Sequence, residues 1–536
     1  AMKFIFGEEG YALAINASVP DWFYEGDAVY QETLLSQQGR GRLPLFMNAY
    51  PSLWQAGKKY SWMKLRNGSL KDYVPSHYHL GYLLVNYGRI KYGTDFWTKV
   101  TRDASAFKSL LYPFQAAIKK YAGVDYPTFR KEAFEFYRSR EKSNSTPSAV
   151  TNVFPVRKDY VTSYFFPYSA GKDSLIYLKA SYRHRPAFFV KDATGVKRIR
   201  AKDIAVDEQF SYRNGKIVYA AYENHPRWGW QDYSVIKVLD VQSGRKQKLT
   251  SRSKYFTPDI SVDGTQVAAV QVSTDGRSEL HILDATNGSV KQRIHSAEIS
   301  LFTDPKFVDD RTLVTVVRLK DGRTALATAD IATGVTMRLT PLTFTTIGYP
   351  SVKNGIVYFT ATWQGNDDLF ALRLDNKKIF RVSGGTAGRY FVNAGDEKLT
   401  WSVFTAEGYQ LQQQVIDPQQ WQAVDMAVQE QLPVIGTLAG TSATLPLMAD
   451  SLAGKRFTSS PYQKGTRLFN FHSWRPYYED PVFTFSLYGE NVLNTFQTEL
   501  YYLYNENEKT SAVGFSGIYG AGFPYLSAGT ELTFNR

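Results

Sequence analysis

Thr257-Pro258-Asp259-Ile260-Ser261-Val262-Asp263-Gly264-Thr265-Gln266-Val267-Ala268 reads as a strand, a tight turn at Asp263-Gly264 and a second strand. The same turn signal returns at Asn214-Gly215, Asp309-Asp310 and Asn354-Gly355, followed by strand-like residues such as Lys216-Ile217-Val218-Tyr219 or Ile356-Val357-Tyr358-Phe359. Out of phase with it runs an Asp-x-x-x-Gly turn at Asp240 to Gly244, Asp284 to Gly288 and Asp330 to Gly334, with a weaker copy at Asp375-Asn376-Lys377-Lys378. Successive copies lie 44, 46 and 45 residues apart, and Asp192-Ala193-Thr194-Gly195 extends the array. Two turns per period, with β-rich runs between them, are what a four-stranded propeller blade needs. One blade cannot bury both of its faces, so the repeats must close on themselves. Six fit between Tyr160 and about Trp421, which predicts a six-bladed β-propeller over residues 155–423. The Asp and Gly residues of the array shape turns and are not ligands.

The phrase from Thr257 to Ala268 resembles the repeat of TolB-like six-bladed propellers. Propellers also cap prolyl-oligopeptidase-type serine hydrolases, whose nucleophile sits in Gly-x-Ser-x-Gly with Asp and His downstream. The nearest string, Gly514-Phe515-Ser516-Gly517, lacks the final Gly at the right place, and no His follows His472. That enzyme class is excluded.

The remaining composition limits the alternatives. A chain of 536 residues is too long for one core and suggests roughly three or four domains. Aromatic residues make up 15 %, with 37 Tyr and 34 Phe, a bias that favours β-structure and sugar- or membrane-facing surfaces. The absence of Cys excludes disulfides, thiolate metal sites and a Cys nucleophile. A formal charge of +13 raises the question of an acidic partner, yet the basic runs Lys197-Arg198-Ile199-Arg200 and Arg245-Lys246-Gln247-Lys248 are short and are expected to be solvated loops. With no nucleic-acid-binding signature beside them, no nucleic-acid partner is expected. Ala1-Met2-Lys3-Phe4-Ile5-Phe6 lacks the apolar core of a signal peptide, and no stretch reaches the ~18 apolar residues of a spanning helix.

Residues 1–148 read as mostly helical. Asp21 can cap a helix on which Trp22, Glu25, Val29 and Glu32 share a face, Leu80, Leu83, Leu84 and Tyr87 form a second apolar stripe, and further helical patterns run from Ala106 to Tyr121 and from Tyr126 to Arg138. Trp22-Phe23-Tyr24-Glu25-Gly26 resembles the third-ligand helix of gluzincin-type zinc metallopeptidases, in which aromatics seat the helix, a Glu faces the metal and a Gly allows close approach. The resemblance implies that Glu25 is the third zinc ligand if a His-Glu-x-x-His pair is present. None of the seven His begins that motif, so it is expected upstream of residue 1, in the parent protein. His77 and His79 could line the cleft or serve surface and capping roles, and Glu32 could back the site or stand as a solvated charge.

Residues 424–455, rich in Gly, Ala, Ser and Thr, read as a linker. Arg467-Leu468-Phe469-Asn470-Phe471-His472-Ser473-Trp474-Arg475-Pro476 resembles the entry to the outer-membrane barrel of bacterial surface-antigen-type proteins, over a β-strand region 456–536. Four aromatic strands are expected after it, at Val482 to Tyr488, Phe496 to Tyr504, Ser511 to Tyr519 and Tyr525 to Phe534, with a polar hairpin at Asn505-Glu506-Asn507-Glu508-Lys509. Phe483, Phe485 and Leu487 alternate with Thr484, Ser486 and Tyr488, as suits one face in lipid or on a core. His472 and Trp474 are expected to be packing residues.

Two functions follow. The first is a binding or scaffold protein of the bacterial envelope, in periplasm or outer membrane, whose propeller takes a protein or peptide partner and whose peptidase-like domain is incomplete and inactive in this chain. The second is a fragment of an envelope zinc metallopeptidase, with zinc in the intact parent.

Overall fold

The computed structural model describes residues 2–140, 150–427, 458–461 and 468–536, with the side chains of residues 2–6, 8 and 9 set aside. The chain divides into two compact units, one of residues 25–87 and 131–446, the other of residues 1–24, 88–130 and 447–536.

In the first unit, β-branched and aromatic residues alternate through six antiparallel sheets spanning residues 162–201, 210–248, 255–294, 299–338, 347–383 and 389–415. Five of the sheets build their blades in chain order. The sixth takes its outermost strand from Thr151–Asn152, which pairs with Gln412 and Gln413, so the ring begins ahead of residue 155. The fifth blade gains an extra outer strand, Gln422–Val424.

Period-two alternation makes each blade apolar on both faces. Leu313 packs toward the third blade with Ile282 and Phe302, whereas its neighbour Val314 packs toward the fifth with Phe359 and Phe370. Every consecutive pair of blades shares such a core, including Phe188, Phe210 and Tyr219 between the first and second. The sixth closes on the first through Leu411, Tyr164 and Tyr177. Six sheets with six shared cores make a closed ring, which is a six-bladed propeller.

The basic runs lie in strands, not in loops. Lys197, Arg198 and Arg200 belong to Gly195–Ala201, and Lys246 and Lys248 to Lys246–Lys248, the outermost strands of their blades. Charged residues on an outer strand oppose edge-to-edge pairing with other chains.

Helices occupy the rest of this unit. Gly26 of Asp21–Leu35 meets Gly81 of His77–Tyr92 so closely that a Cβ on Gly26 would lie 2.1 Å from the Gly81 carbonyl carbon. The short helices Pro44–Met47, Ala49–Gln55 and Trp62–Asn67 lie over one face of the propeller. Asn48 Nδ2 donates to the Tyr390 hydroxyl (3.0 Å), Lys58 pairs with Glu407 (2.7 Å), Gln38 meets Arg318, and the Val161 amide donates to the Lys71 carbonyl (3.0 Å).

The second unit has an aromatic core in which Trp22 meets Trp97 and Phe114 edge-on (6.0 and 5.6 Å) and stacks on Tyr126 (6.2 Å). The helix expected from Ala106 to Tyr121 is confined to Pro113–Ala122, and a separate helix, Phe96–Ser105, ends just before Ala106. Phe107 and Tyr112 take left-handed backbone between them, and Pro113, which has no amide hydrogen to give, starts the second. The C-terminal sheet has five strands, not four, because the entry segment itself pairs: Phe471–Glu479, Val482–Glu490, Phe496–Asn505, Thr510–Tyr519 and Leu526–Phe534 form an antiparallel meander in chain order. Most of the segment read as a linker lies outside the described residues.

Ring closure gives a measurable asymmetry. Leu411→Ala, at a side chain 1 % exposed in the closing core, is expected to cost about 2–5 kcal/mol in urea denaturation. Val335→Ala, 62 % exposed on an outer turn, is expected to change stability by under about 0.5 kcal/mol.

Candidate functional site

The innermost strands carry a device that turn residues do not announce. Phe166, Thr257, Asp304, Tyr349 and Phe391 all have left-handed backbone, with φ between 45° and 59°, at equivalent points of five blades. Each coincides with a register shift against the second strand. Four of them precede a proline, namely Pro167, Pro258, Pro305 and Pro350. A bulge leaves a backbone position outside the ladder, where a residue without an amide hydrogen fits. The second blade lacks the proline, and its inner strand Phe210–Arg213 pairs without a shift.

One residue beyond the bulged position pair, the side chain lines the axial channel: Tyr168, Asp259, Lys306, Ser351 and Asn393 all border a cavity of about 280 Å³. Hydrogen bonds tie the inner strands into a belt. Tyr168 donates to the Phe210 carbonyl (2.7 Å), Ser211 to Asp259 (2.7 Å), Asn393 to Ser351 (3.2 Å), and the Ser169 amide to Asn393 Oδ1 (3.0 Å). The Thr257 amide donates to Asp207 (3.1 Å), the Asp304 amide to Thr257 (3.2 Å), and the Tyr349 amide to Asp304 (3.4 Å).

Charges concentrate at Asp259, which is 1 % exposed. Its Oδ1 accepts from Ser211 and, at 3.4 Å, from Lys306 Nζ, while its Oδ2 accepts from the Phe307 amide (2.9 Å) and lies 3.7 Å from Arg213. Lys306 also reaches the Tyr168 hydroxyl at 3.3 Å. Burial works against the Lys306 ammonium, but Tyr168, Asp259 and Asp304 outweigh it and keep the group firmly charged.

The cavity borders Gly171, Arg213, Lys353 and Asp396, at or beside the turns joining first to second strands. The helical layer meets the opposite face, where second strands turn into third ones. At that face Asp367 accepts from Tyr390 (2.7 Å), Thr362 (2.8 Å) and the Leu45 amide. Tyr390 is thus gripped between Asp367 and Asn48. Burial pushes the Asp367 carboxyl up to about 6, against the pull of those donors.

The residues expected to form a zinc site fall elsewhere in the same unit. Glu25 is half-buried, accepts from the Tyr78 hydroxyl and lies in the field of Arg40. Glu32 is forked by Arg40 through Nε (2.8 Å) and Nη2 (2.9 Å) and also accepts the Arg40 amide (2.8 Å). His77 Nε2 bonds the Arg66 carbonyl (2.8 Å). His79 stacks on Phe46 (4.3 Å) and contacts Ser76 through Nδ1 (2.8 Å), and burial pulls its imidazole down to about 4. No group of three or more His, Cys, Asp or Glu comes together among the described residues. A phenol and a guanidinium beside Glu25 are a poor donor set for a dication.

In the sequence the channel residues are marked only by a proline repeat, which a single x-Pro-x phrase does not reveal. The prolines at 258, 305 and 350 recur at the blade period and mark the channel-lining residues that follow them.

No family model matches the chain, and no curated protein matches it. Among solved structures it is similar to a protein of Agrobacterium tumefaciens assigned as TolB, with 15 % identity, 42 % of this chain and 83 % of that one covered, and a TM-score of 0.33. It is similar to TolB from Acinetobacter baumannii, with 13 % identity, 51 % and 66 % covered, and a TM-score of 0.32. The β-propeller domain of the Trilobed protease from Pyrococcus furiosus matches with 13 % identity, 47 % and 94 % covered, and a TM-score of 0.31. The propeller is defined by its six sheets and six shared cores, independently of these likenesses.

Two outcomes test this geometry. The folded Asp367 carboxyl holds its proton to about pH 6, against ~3.9 in an unfolded chain. The folded state therefore binds more protons in that window, and the Asp367 contribution to stability is full below it, declines as pH rises through it and is flat above. Asp367→Asn is expected to remove this decline in urea midpoints measured across the window. For Glu25, the full chain equilibrated with zinc and desalted is expected to carry substoichiometric metal, unchanged by Glu25→Gln. Stoichiometric zinc lost in that variant would reverse the assignment.

Proposed function

We propose that the chain is a binding or scaffold protein of the bacterial envelope, in which the propeller presents a rigid ring to a protein or peptide partner and the C-terminal strands associate with the outer membrane. The observation that supports the membrane part most directly is the segregation of the five-stranded sheet into two unlike faces. Along one rung, Pro476, Phe485, Tyr502, Val513 and Leu532 stand directly opposite one another and share a face. The last four are 37, 41, 43 and 62 % exposed, so a ladder of apolar side chains stands uncovered. The neighbouring rung on the other face reads Arg475, Ser486, Tyr501, Gly514 and Glu531. There the Tyr501 ring lies across Gly514, where a Cβ would come within 2.1 Å of it, and its hydroxyl donates to Glu531 (2.7 Å).

Strands of nine or ten residues, predominantly apolar on one face and more polar on the other, have the length and dyad period of strands that cross a bilayer. Five such strands do not close a barrel, whose smallest form needs about eight. No helix among the described residues is long and apolar enough to cross a membrane.

The alternative, part of a zinc peptidase, draws on the Trp22-Phe23-Tyr24-Glu25-Gly26 phrase, and the Gly26–Gly81 crossing gives that phrase a packing role without a metal.

Flotation with phosphatidylethanolamine and phosphatidylglycerol vesicles tests the membrane part. The chain is expected to float with the vesicles, and Phe485→Lys, Val513→Lys and Leu532→Lys together to abolish flotation, since each buries a charge costing about 2–4 kcal/mol at the bilayer midplane. Equal flotation of the variant, or a wild-type chain that stays with the aqueous fraction, would count against it.

A further inference from the structure

The carboxylates of the axial cavity are engaged, and its two cations keep donors in hand. Both oxygens of Asp259 are taken by Ser211, the Phe307 amide and two cations. Asn393 uses its oxygen on the Ser169 amide and its nitrogen on Ser351. Asp304, the nearest other acid, accepts from Gln209 and the Tyr349 amide, and burial raises its carboxyl toward the neutral form. At the rim Asp396 is paired with Lys353 (2.9 Å).

The donors are less committed. Lys306 has three N–H groups and two partners, both beyond 3.2 Å. Arg213 has five, of which one is placed on the Phe307 carbonyl (3.1 Å). One carboxylate, Asp259, thus sits between two cations that both border the cavity. Beside them stand apolar walls from Phe166, Pro350 and Phe391.

We propose that this cavity binds a carboxylate carried on a small apolar body, as at the C-terminus of a peptide ending in an aromatic or aliphatic residue. An anionic acceptor suits the cavity because its carboxylates are engaged while its two cations keep N–H groups to give. A planar carboxylate suits the fork of Arg213, and an ammonium in a cavity of low dielectric supplies a charge-assisted bond. The apolar walls favour a hydrocarbon body over a bare inorganic anion. A volume of about 280 Å³ lies just below the usual range of ligand pockets and admits the tip of a chain, not a folded surface. The covered opposite face makes the site a pit entered from one side.

This inference rests on the propeller being the partner-binding module and is independent of membrane association. Calorimetric titration of the full chain with N-acetyl-Ala-Ala-Phe, as the free acid and as the C-terminal amide, tests it. The acid is expected to bind saturably and the amide at least about tenfold more weakly. Arg213→Gln, at a side chain about one-quarter exposed, is expected to erase most of that difference, as is Lys306→Met with its melting transition checked. If Lys306→Met does not fold, Arg213→Gln decides alone. Equal binding of acid and amide, no saturable binding of the acid, or displacement of the acid by equimolar inorganic phosphate would overturn the proposal. Any of these with vesicle flotation intact removes the pit's assignment and leaves the envelope scaffold standing.

Discussion

A four-stranded blade with apolar side chains on both faces has no stable existence alone, and everything in the larger unit follows from meeting that demand. Leu313 and Val314 point into different inter-blade cores because adjacent residues of a strand must point opposite ways. The demand is met only when the last blade finds the first, and the chain achieves this with non-consecutive pieces. Thr151–Asn152 completes the sixth sheet, and Leu411 closes on Tyr164 and Tyr177. Closing the ring brings six inner strands around one axis, where backbone groups have little room to find water. The bulges at Phe166, Thr257, Asp304, Tyr349 and Phe391 answer that crowding by turning selected side chains onto the axis, where they bond the neighbouring strand. Left-handed backbone at non-glycine residues costs about 1–3 kcal/mol each, which a closed ring can sustain because its surroundings fix the conformation.

What was legible in the sequence was what is local. A turn between two strands is specified by two to five consecutive residues, so Asp263-Gly264 and Asp284 to Gly288 carry their own instructions, and their period counted the blades. The reach of a strand is less local. Phe471–Glu479 was read as an entry segment because its partner, Val482–Glu490, is what makes it a strand. The basic outer strands looked like loops for the same reason, since they are mostly polar and depend largely on pairing. In the helical segment, the Ala106–Tyr121 pattern had the right apolar spacing, but Pro113 sets a start that periodicity alone does not weigh.

The candidate site was less legible still. Asn48 meets Tyr390 across 342 positions of sequence, and no local pattern anticipates that bond. The Trp22-Phe23-Tyr24-Glu25-Gly26 phrase shows the converse case, a local pattern specific enough to suggest chemistry. In the structure its glycine is explained by the Gly81 backbone and its first two aromatics by Trp97 and Phe114. Those contacts account for the same residues through packing.

The pit and the covered face belong to one design. Helices seated on Glu407, Tyr390 and Asp367 occupy the side where second strands turn into third ones, so the axial cavity is reached from the other. A closed ring also keeps its axial charges in a medium where they interact strongly, and a lone buried Asp259 would be unsustainable there. Removing one partner of a buried pair costs about 3–5 kcal/mol, whereas replacing the whole set by apolar residues is often neutral. Stability alone therefore gives no reason to keep Asp259, Lys306 and Arg213 together. Asp259 does have a structural part, because it joins the third blade to the second through Ser211 and to the fourth through the Phe307 amide. Arg213 and Lys306 also bridge blades, through the Phe307 carbonyl and the Tyr168 hydroxyl, but each of those bonds needs only a neutral donor, so two cations on the same carboxylate exceed what holding the blades requires.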